Sequence, residues 1–140
     1  MTFTVDASVF LNAFHPREEG HEVSRGLLKR LQEAALPVIV PNLLRVEVAA
    51  AMSRVRRDSA LASRFAEALF ALPHLVPVPL DDQLAATAAG IAADHRVRAA
   101  DAVYGAVALR FGSTLVSRDR EQLERLASLV PTFHPAMVAF

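Results

Sequence analysis

Residues 37–41 read PVIVP, three apolar β-branched residues closed on both sides by proline. A strand that keeps one face in water alternates polar and apolar side chains; this one has no polar face, so both of its faces are buried. Strands of that kind belong to parallel sheets covered by helices, which restricts the chain to an α/β architecture. Three other stretches supply partners. TFTVDASVF (2–10) begins as a strand and reaches a carboxylate at Asp6, LPHLVPVPL (72–80) holds a short strand whose three prolines suit a sheet edge, and STLVSRD (113–119) runs from Thr114, Leu115 and Val116 to a carboxylate at Asp119. The closing VPTFHPAMVAF (130–140) adds a short edge strand and a tail.

The stretches between read as helices. Residues 9–14 form a short helix or turn, HPREEG (15–20) a polar loop, and HEVSRGLLKRLQEAA an amphipathic helix with Val23, Leu27, Leu28 and Leu31 on one stripe. His15, Glu18, Glu19, His21 and Glu22, in and just after this loop, lack the spacing of a tetrahedral metal motif and read as solvated. Asn42 is placed to cap LLRVEVAAAMSRVRR, and a further helix spans 60–72. Asp81 and Asp82 open DDQLAATAAGIAADH as capping residues, and AADAVYGAVALRF (99–111) follows, closed by Gly112. The resulting order, β, α, β, α, α, β, α, α, β, α, predicts one layered α/β domain over 1–140 with a mainly parallel sheet.

Four isolated acids stand out in this scheme. Asp6 and Asp119 end strands, while Glu47 and Asp101 lie on strongly apolar helices, so all four are candidates for one crevice at the carboxyl edge of the sheet. Three of them also have a plain structural reading: Asp6 as a cap, Asp119 as a capping box with Gln122, and Glu47 as the partner of Arg45, Arg54 or another arginine, or as a residue on the solvent edge. Several carboxylates in one crevice cannot all stay ionised without a cation. The chain has no cysteine and no compelling histidine, so oxygen ligands alone would select a hard ion, Mg²⁺ or Mn²⁺. Such an ion polarises a phosphodiester, activates a water and stabilises the leaving oxygen.

With fifteen cationic and fifteen anionic residues, the charge gives no global nucleic-acid signature, so contact with RNA must come from local arginines such as Arg45, Arg54 and Arg118. Lys29 is the sole lysine, far from the end of the last main strand where a receiver domain needs one. A haloacid-dehalogenase-like enzyme would need an aspartate where Ser8 stands, and no P-loop GxxxxGK[ST] occurs. No apolar run approaches the ~18 residues of a membrane span, no basic stretch precedes the first apolar residues, and a cytoplasmic location is expected. The apolar residues Val55, Leu61, Phe65, Leu69 and Phe70 exceed what one face of a thin sheet covers, and predict a homodimer.

VDAS at 5–8, RVEVA at 45–49, RAADAVYGAVA at 98–108 and LVSRD at 115–119 together resemble the PIN domain, and more narrowly the VapC-type ribonuclease toxins of toxin-antitoxin systems. The resemblance spans nearly the whole chain. It implies a three-layer α/β/α fold and an endoribonuclease in which Asp6, Glu47, Asp101 and Asp119 bind Mg²⁺ or Mn²⁺, with Ser8 and Ser117 in support. It further implies an RNA substrate, a homodimer and a cognate antitoxin of the VapB type. Ser117 stands where threonine is commoner, and HRVR (95–98) lacks the glycine often found before the third acid. The alternatives are a housekeeping PIN-domain nuclease and a PIN-like module that binds RNA or a partner without cleaving.

Overall fold

The computed structural model of the protein describes residues 1–140. Strands β1 (Phe3–Val5), β2 (Val38–Pro41), β3 (Leu75–Val78), β4 (Thr114–Val116) and β5 (Thr132–Phe133) form one sheet in the order β3-β2-β1-β4-β5. Every pairing is parallel, as the two-sided burial of PVIVP requires. The connections carry α1 (Ala7–Ala13), α2 (His21–Glu33), α3 (Leu43–Arg56), α4 (Ser59–Phe70), α5 (Asp82–His95), α6 (Ala99–Phe111) and α7 (Arg120–Leu126), and a 3-10 turn at Pro135–Met137 follows β5. All residues of β1 and β2 are buried, whereas β3 exposes Val76 and Pro77 as an edge strand should.

The chain begins at the centre of the sheet, builds outwards through β2 and β3, then crosses to the other side of β1 for β4 and β5. Strand order therefore reverses at β1, and this leaves a crevice at the carboxyl ends of β1 and β4. Helix α6 packs on β1, β2 and β4 and pairs with α5, while α1 packs on α2 and α3, and α3 on α4. Asp58, Asp81 and Asp119 cap α4, α5 and α7 by accepting the backbone N–H of Leu61, Leu84 and Gln122. Asn42 does not cap α3. Its backbone is already helical at φ −56°, ψ −23°, and in that conformation its side chain accepts none of the helix's first N–H groups.

The apolar surplus expected on α3 and α4 is smaller than the sequence suggests. Leu69 is buried, Phe65 meets Phe14 edge-on with ring centroids 4.2 Å apart, and Phe70 lies under the Arg45 guanidinium. Of the residues named for that surplus, Val55 is the one left well exposed, at 59%. These helices cover one another and α1 before any second chain is needed. No helix is long and apolar enough to cross a membrane.

Leu115 in β4 is fully buried, so Leu115→Ala opens a cavity where strand and α6 meet. The expected loss is about 2–5 kcal/mol, read as a lower urea midpoint at unchanged m-value. A loss under about 1 kcal/mol would show that the core does not depend on this strand as described.

Candidate active site

The ladder extends one residue past β1, because Asp6 N–H donates to the Val116 carbonyl at 2.9 Å. Register pairs Val5 with Val116, which sets Asp6 beside Ser117. The Asp6 carboxylate accepts the backbone N–H of Ser8 at 3.1 Å and the Ser117 hydroxyl at 3.4 Å. The expectation that Asp6 caps a helix and the expectation that it faces the crevice both hold, since capping uses one oxygen and leaves the other. With only 7% of the residue exposed, burial raises its pKa; the bonds from Ser8 lower it and Asp119 raises it again.

Asp101 lies in the first turn of α6 and Asp119 at the start of α7, both facing the same crevice. Arg98 joins them. Its Nε donates to Asp101 Oδ2 at 3.2 Å, and its Nη2 donates to Asp119 Oδ2. Burial raises the Asp101 pKa, Arg98 opposes that, and Asp6 and Asp119 add to it. Ser117 links the two strand-end acids, donating to Asp6 while accepting the Asp119 backbone N–H at 3.0 Å. Ser8 performs a matching task through its hydroxyl, which accepts the Arg118 N–H at 3.1 Å.

Glu47 reaches the crevice from α3 and pairs with neither Arg45 nor Arg54. Tyr104, fully buried on α6, donates its hydroxyl to Glu47 Oε1 at 2.8 Å. Burial pushes the Glu47 pKa up to about 7, with Tyr104 opposing and Asp6 and Asp101 reinforcing the rise. Asp6 and Asp101 therefore lie near enough to act on Glu47, as Asp119 does on Asp6 and Asp101. Tyr104 is the sole tyrosine and stands three residues after Asp101, on the same face of α6; that spacing was the available sign of its place in the site.

Gln122 was expected to complete a capping box with Asp119. Its backbone N–H does donate to Asp119 at 3.2 Å, but Ser117 already satisfies the Asp119 N–H, and the Gln122 side chain is fully buried. Its amide lies near enough to Asp6 to lower that acid's pKa, yet neither amide atom reaches hydrogen-bond geometry with any partner. The arginines divide. Arg118 is committed to Glu18 at 2.8 Å and to the Glu19 carbonyl at 2.9 Å, which ties down the 15–20 loop rather than leaving a free phosphate contact. Arg45 lies on Phe70, and Arg54 is exposed on α3.

As the side chains stand, no three acids converge closely enough to share one metal ion, because Arg98 occupies the space between Asp101 and Asp119 and Tyr104 holds Glu47. The donor set still fits Mg²⁺ or Mn²⁺. It is made of carboxylate oxygens, three of whose acids, Asp6, Glu47 and Asp101, have pKa values raised by burial and by neighbouring carboxylates, and Asp101 and Asp119 already share a cation in the Arg98 guanidinium.

The PIN domain family profile matches residues 3–129, and the chain belongs to that family. Among curated proteins no sequence matches significantly. Solved structures with the same fold include Mycobacterium tuberculosis VapC20, a Sarcin-Ricin loop cleaving toxin, at 21% identity and TM-score 0.72 over 93% of this chain and 97% of that one. Another is VapBC2 from Rickettsia felis bound to a promoter DNA fragment, at 12% identity and TM-score 0.71 over 96% and 98%. A third is DNA-bound VapBC from Salmonella typhimurium, at 15% identity and TM-score 0.68 over 96% and 98%. At such identities the likeness is one of fold.

The raised pKa values set a pH dependence. A carboxyl whose folded-state pKa is raised contributes stability that is full below its ordinary value and is lost as pH rises through the folded value. In EDTA the thermal midpoint should therefore fall as pH rises from 4.5 to about 7, the ordinary and folded values for Glu47, and Glu47→Gln should flatten that fall. A midpoint that climbs through this window would show that the acids are not coupled as described.

Proposed function

We propose that the protein is a divalent-metal-dependent endoribonuclease and the toxin of a toxin-antitoxin pair, acting as one PIN-like domain over 1–140. The observation that carries this reading is the meeting of Asp6, Glu47, Asp101 and Asp119 from four elements in the crevice where strand order reverses. Membership of the PIN family supports it, as do fold neighbours that are VapBC complexes or a Sarcin-Ricin loop cleaving toxin.

In this reading Asp6, Asp101 and Asp119 hold Mg²⁺ or Mn²⁺. When bound, the ion supplies Lewis-acid polarisation of the phosphodiester and acidifies the attacking water. Ser8 and Ser117 fix the Asp6 carboxylate by donating to one of its oxygens, while the Ser117 hydroxyl also holds the Asp119 backbone by accepting its N–H. Glu47, oriented by Tyr104 and with a pKa brought near neutrality, completes the ligand set or orients the water and accepts its proton. In-line displacement by water leaves a 5′-phosphate and a 3′-hydroxyl.

The partners follow the same reading: RNA as substrate, a second copy of the chain, and a VapB-type antitoxin, all in the cytoplasm. An antitoxin can inhibit by setting a basic side chain against the acids while its apolar residues enter a hollow of about 320 Å³ that lies away from them, lined by Phe10, Phe14, Leu28, Leu69, Leu72 and Leu75. A non-cleaving RNA-binding module is the second reading. It is favoured by the Arg98 bridge, which neutralises two of the acids without any metal.

RNA cleavage by the purified protein should require Mg²⁺ or Mn²⁺, stop in excess EDTA, and drop by more than about 100-fold in Asp6→Asn, the scale of losing a charge that stabilises the transition state. Full activity in EDTA would refute metal dependence. Tight RNA binding with no cleavage under any divalent ion would establish the second reading.

A further inference from the structure

Arg98 occupies the N-cap of α6, a position where serine, threonine, aspartate or asparagine is favoured and where a cation opposes the helix dipole. It makes no capping hydrogen bond, so helix formation does not account for an arginine there. Its backbone is nevertheless held firmly. Val97 beside it is buried, the Arg98 carbonyl accepts Ala102 N–H at 3.0 Å, and the preceding Arg96 carbonyl accepts a guanidinium N–H of Arg125. Arg96 itself adopts the left-handed conformation at φ 56°, which a glycine would adopt without strain.

From this fixed base the Arg98 side chain, 66% exposed, lies across the crevice mouth and bridges Asp101 and Asp119. We propose that Arg98 is an internal counterion of the acidic site: it neutralises Asp101 and Asp119 in the metal-free protein, yields them to a divalent ion, and then binds a phosphate of the RNA. The inference rests on the metal-site reading given above. Once a divalent ion takes the two carboxylates, the guanidinium loses both partners and is repelled by the ion. It remains tethered at the crevice, where a phosphodiester brings the nearest new anion, and a planar fork suits phosphate as well as carboxylate.

Titration of Mn²⁺ into metal-free protein by calorimetry, with no RNA present, tests the first half. Arg98→Gln should bind Mn²⁺ about fivefold more tightly than the wild type, the scale of releasing one part-exposed ion pair, and Arg98→Lys should fall between them. The second half is read from the KM for a single-stranded RNA oligonucleotide across a salt series at saturating Mn²⁺. Loss of one phosphate contact should raise KM and make its log–log salt slope shallower by about 0.7 in Arg98→Gln, with Arg98→Lys restoring it. Circular dichroism checks that both variants fold; should Arg98→Gln not, Arg98→Ala, which also removes the charge, carries the comparison. Equal or weaker Mn²⁺ binding by the folded variants, or an unchanged salt slope in the variant that lacks the charge, would overturn the proposal while leaving the nuclease reading intact. Failure of the wild type and both variants to take up Mn²⁺ would overturn both.

Discussion

Carboxylates brought together out of water raise one another's energy, and the rest of this structure is arranged around that repulsion. Asp6, Glu47 and Asp101 are all pushed towards their neutral forms by burial first, against the hydrogen bonds they accept, and neighbouring carboxylates add to the push: Asp119 on Asp6, Asp6 and Asp101 on Glu47, Asp6 and Asp119 on Asp101. A fold assembled only for stability would not gather them. Their presence in one crevice is a local instability that the surrounding core must offset, with Leu44, Val48, Val103, Val107 and Leu115 forming the apolar body beneath.

The sheet order explains how one crevice collects acids from distant parts of the chain. Because β1 is central, its carboxyl end lies between the half of the sheet built before α5 and the half built after α6. Asp6 and Asp119 arrive on adjacent strand ends, locked by the one-residue extension of the β1–β4 ladder through Asp6. Helix α6 crosses β1, β2 and β4 and delivers Asp101 and Tyr104 from one face, while α3 supplies Glu47. The site is rigid on the strand side and depends on helix packing on the other.

That division decides what could be read from the sequence. Strand ends are local, so TFTVD and LVSRD placed Asp6 and Asp119 correctly, and the apolar run VIV announced the parallel sheet before any pairing was known. Contacts between elements are not local. Nothing near Glu47 announces Tyr104, 57 residues away; the apolar residues three and four positions from Glu47 favoured a functional acid, and an arginine such as Arg45 or Arg54 stood only as the structural alternative. Gln122 fitted a capping box by spacing, but the direction of its side chain is set by how α7 packs on the sheet. Asn42 failed as a cap because capping depends on backbone dihedrals, which residue type alone does not fix. Arg118 looked like a free cation until folding brought Glu18 to it from 100 positions away.

The crevice relieves its repulsion in two different ways. At its inner end, Asp6 and Glu47 are surrounded by uncharged groups, Ser8, Ser117, Tyr104 and the buried Gln122, so their relief in the absence of metal comes from protons and varies with pH. At its mouth, Asp101 and Asp119 are relieved by Arg98, whose guanidinium keeps its charge at any pH a protein survives. A lysine there would be a point charge without the fork to span two carboxylates, and the chain's one lysine is elsewhere, on α2. A divalent ion entering this crevice would have to displace protons from one end and an arginine from the other. The two costs respond to different conditions, the first to pH and the second to salt, so in the metal-dependent reading proposed above occupancy would be set by the chain's own residues before any partner acts on it.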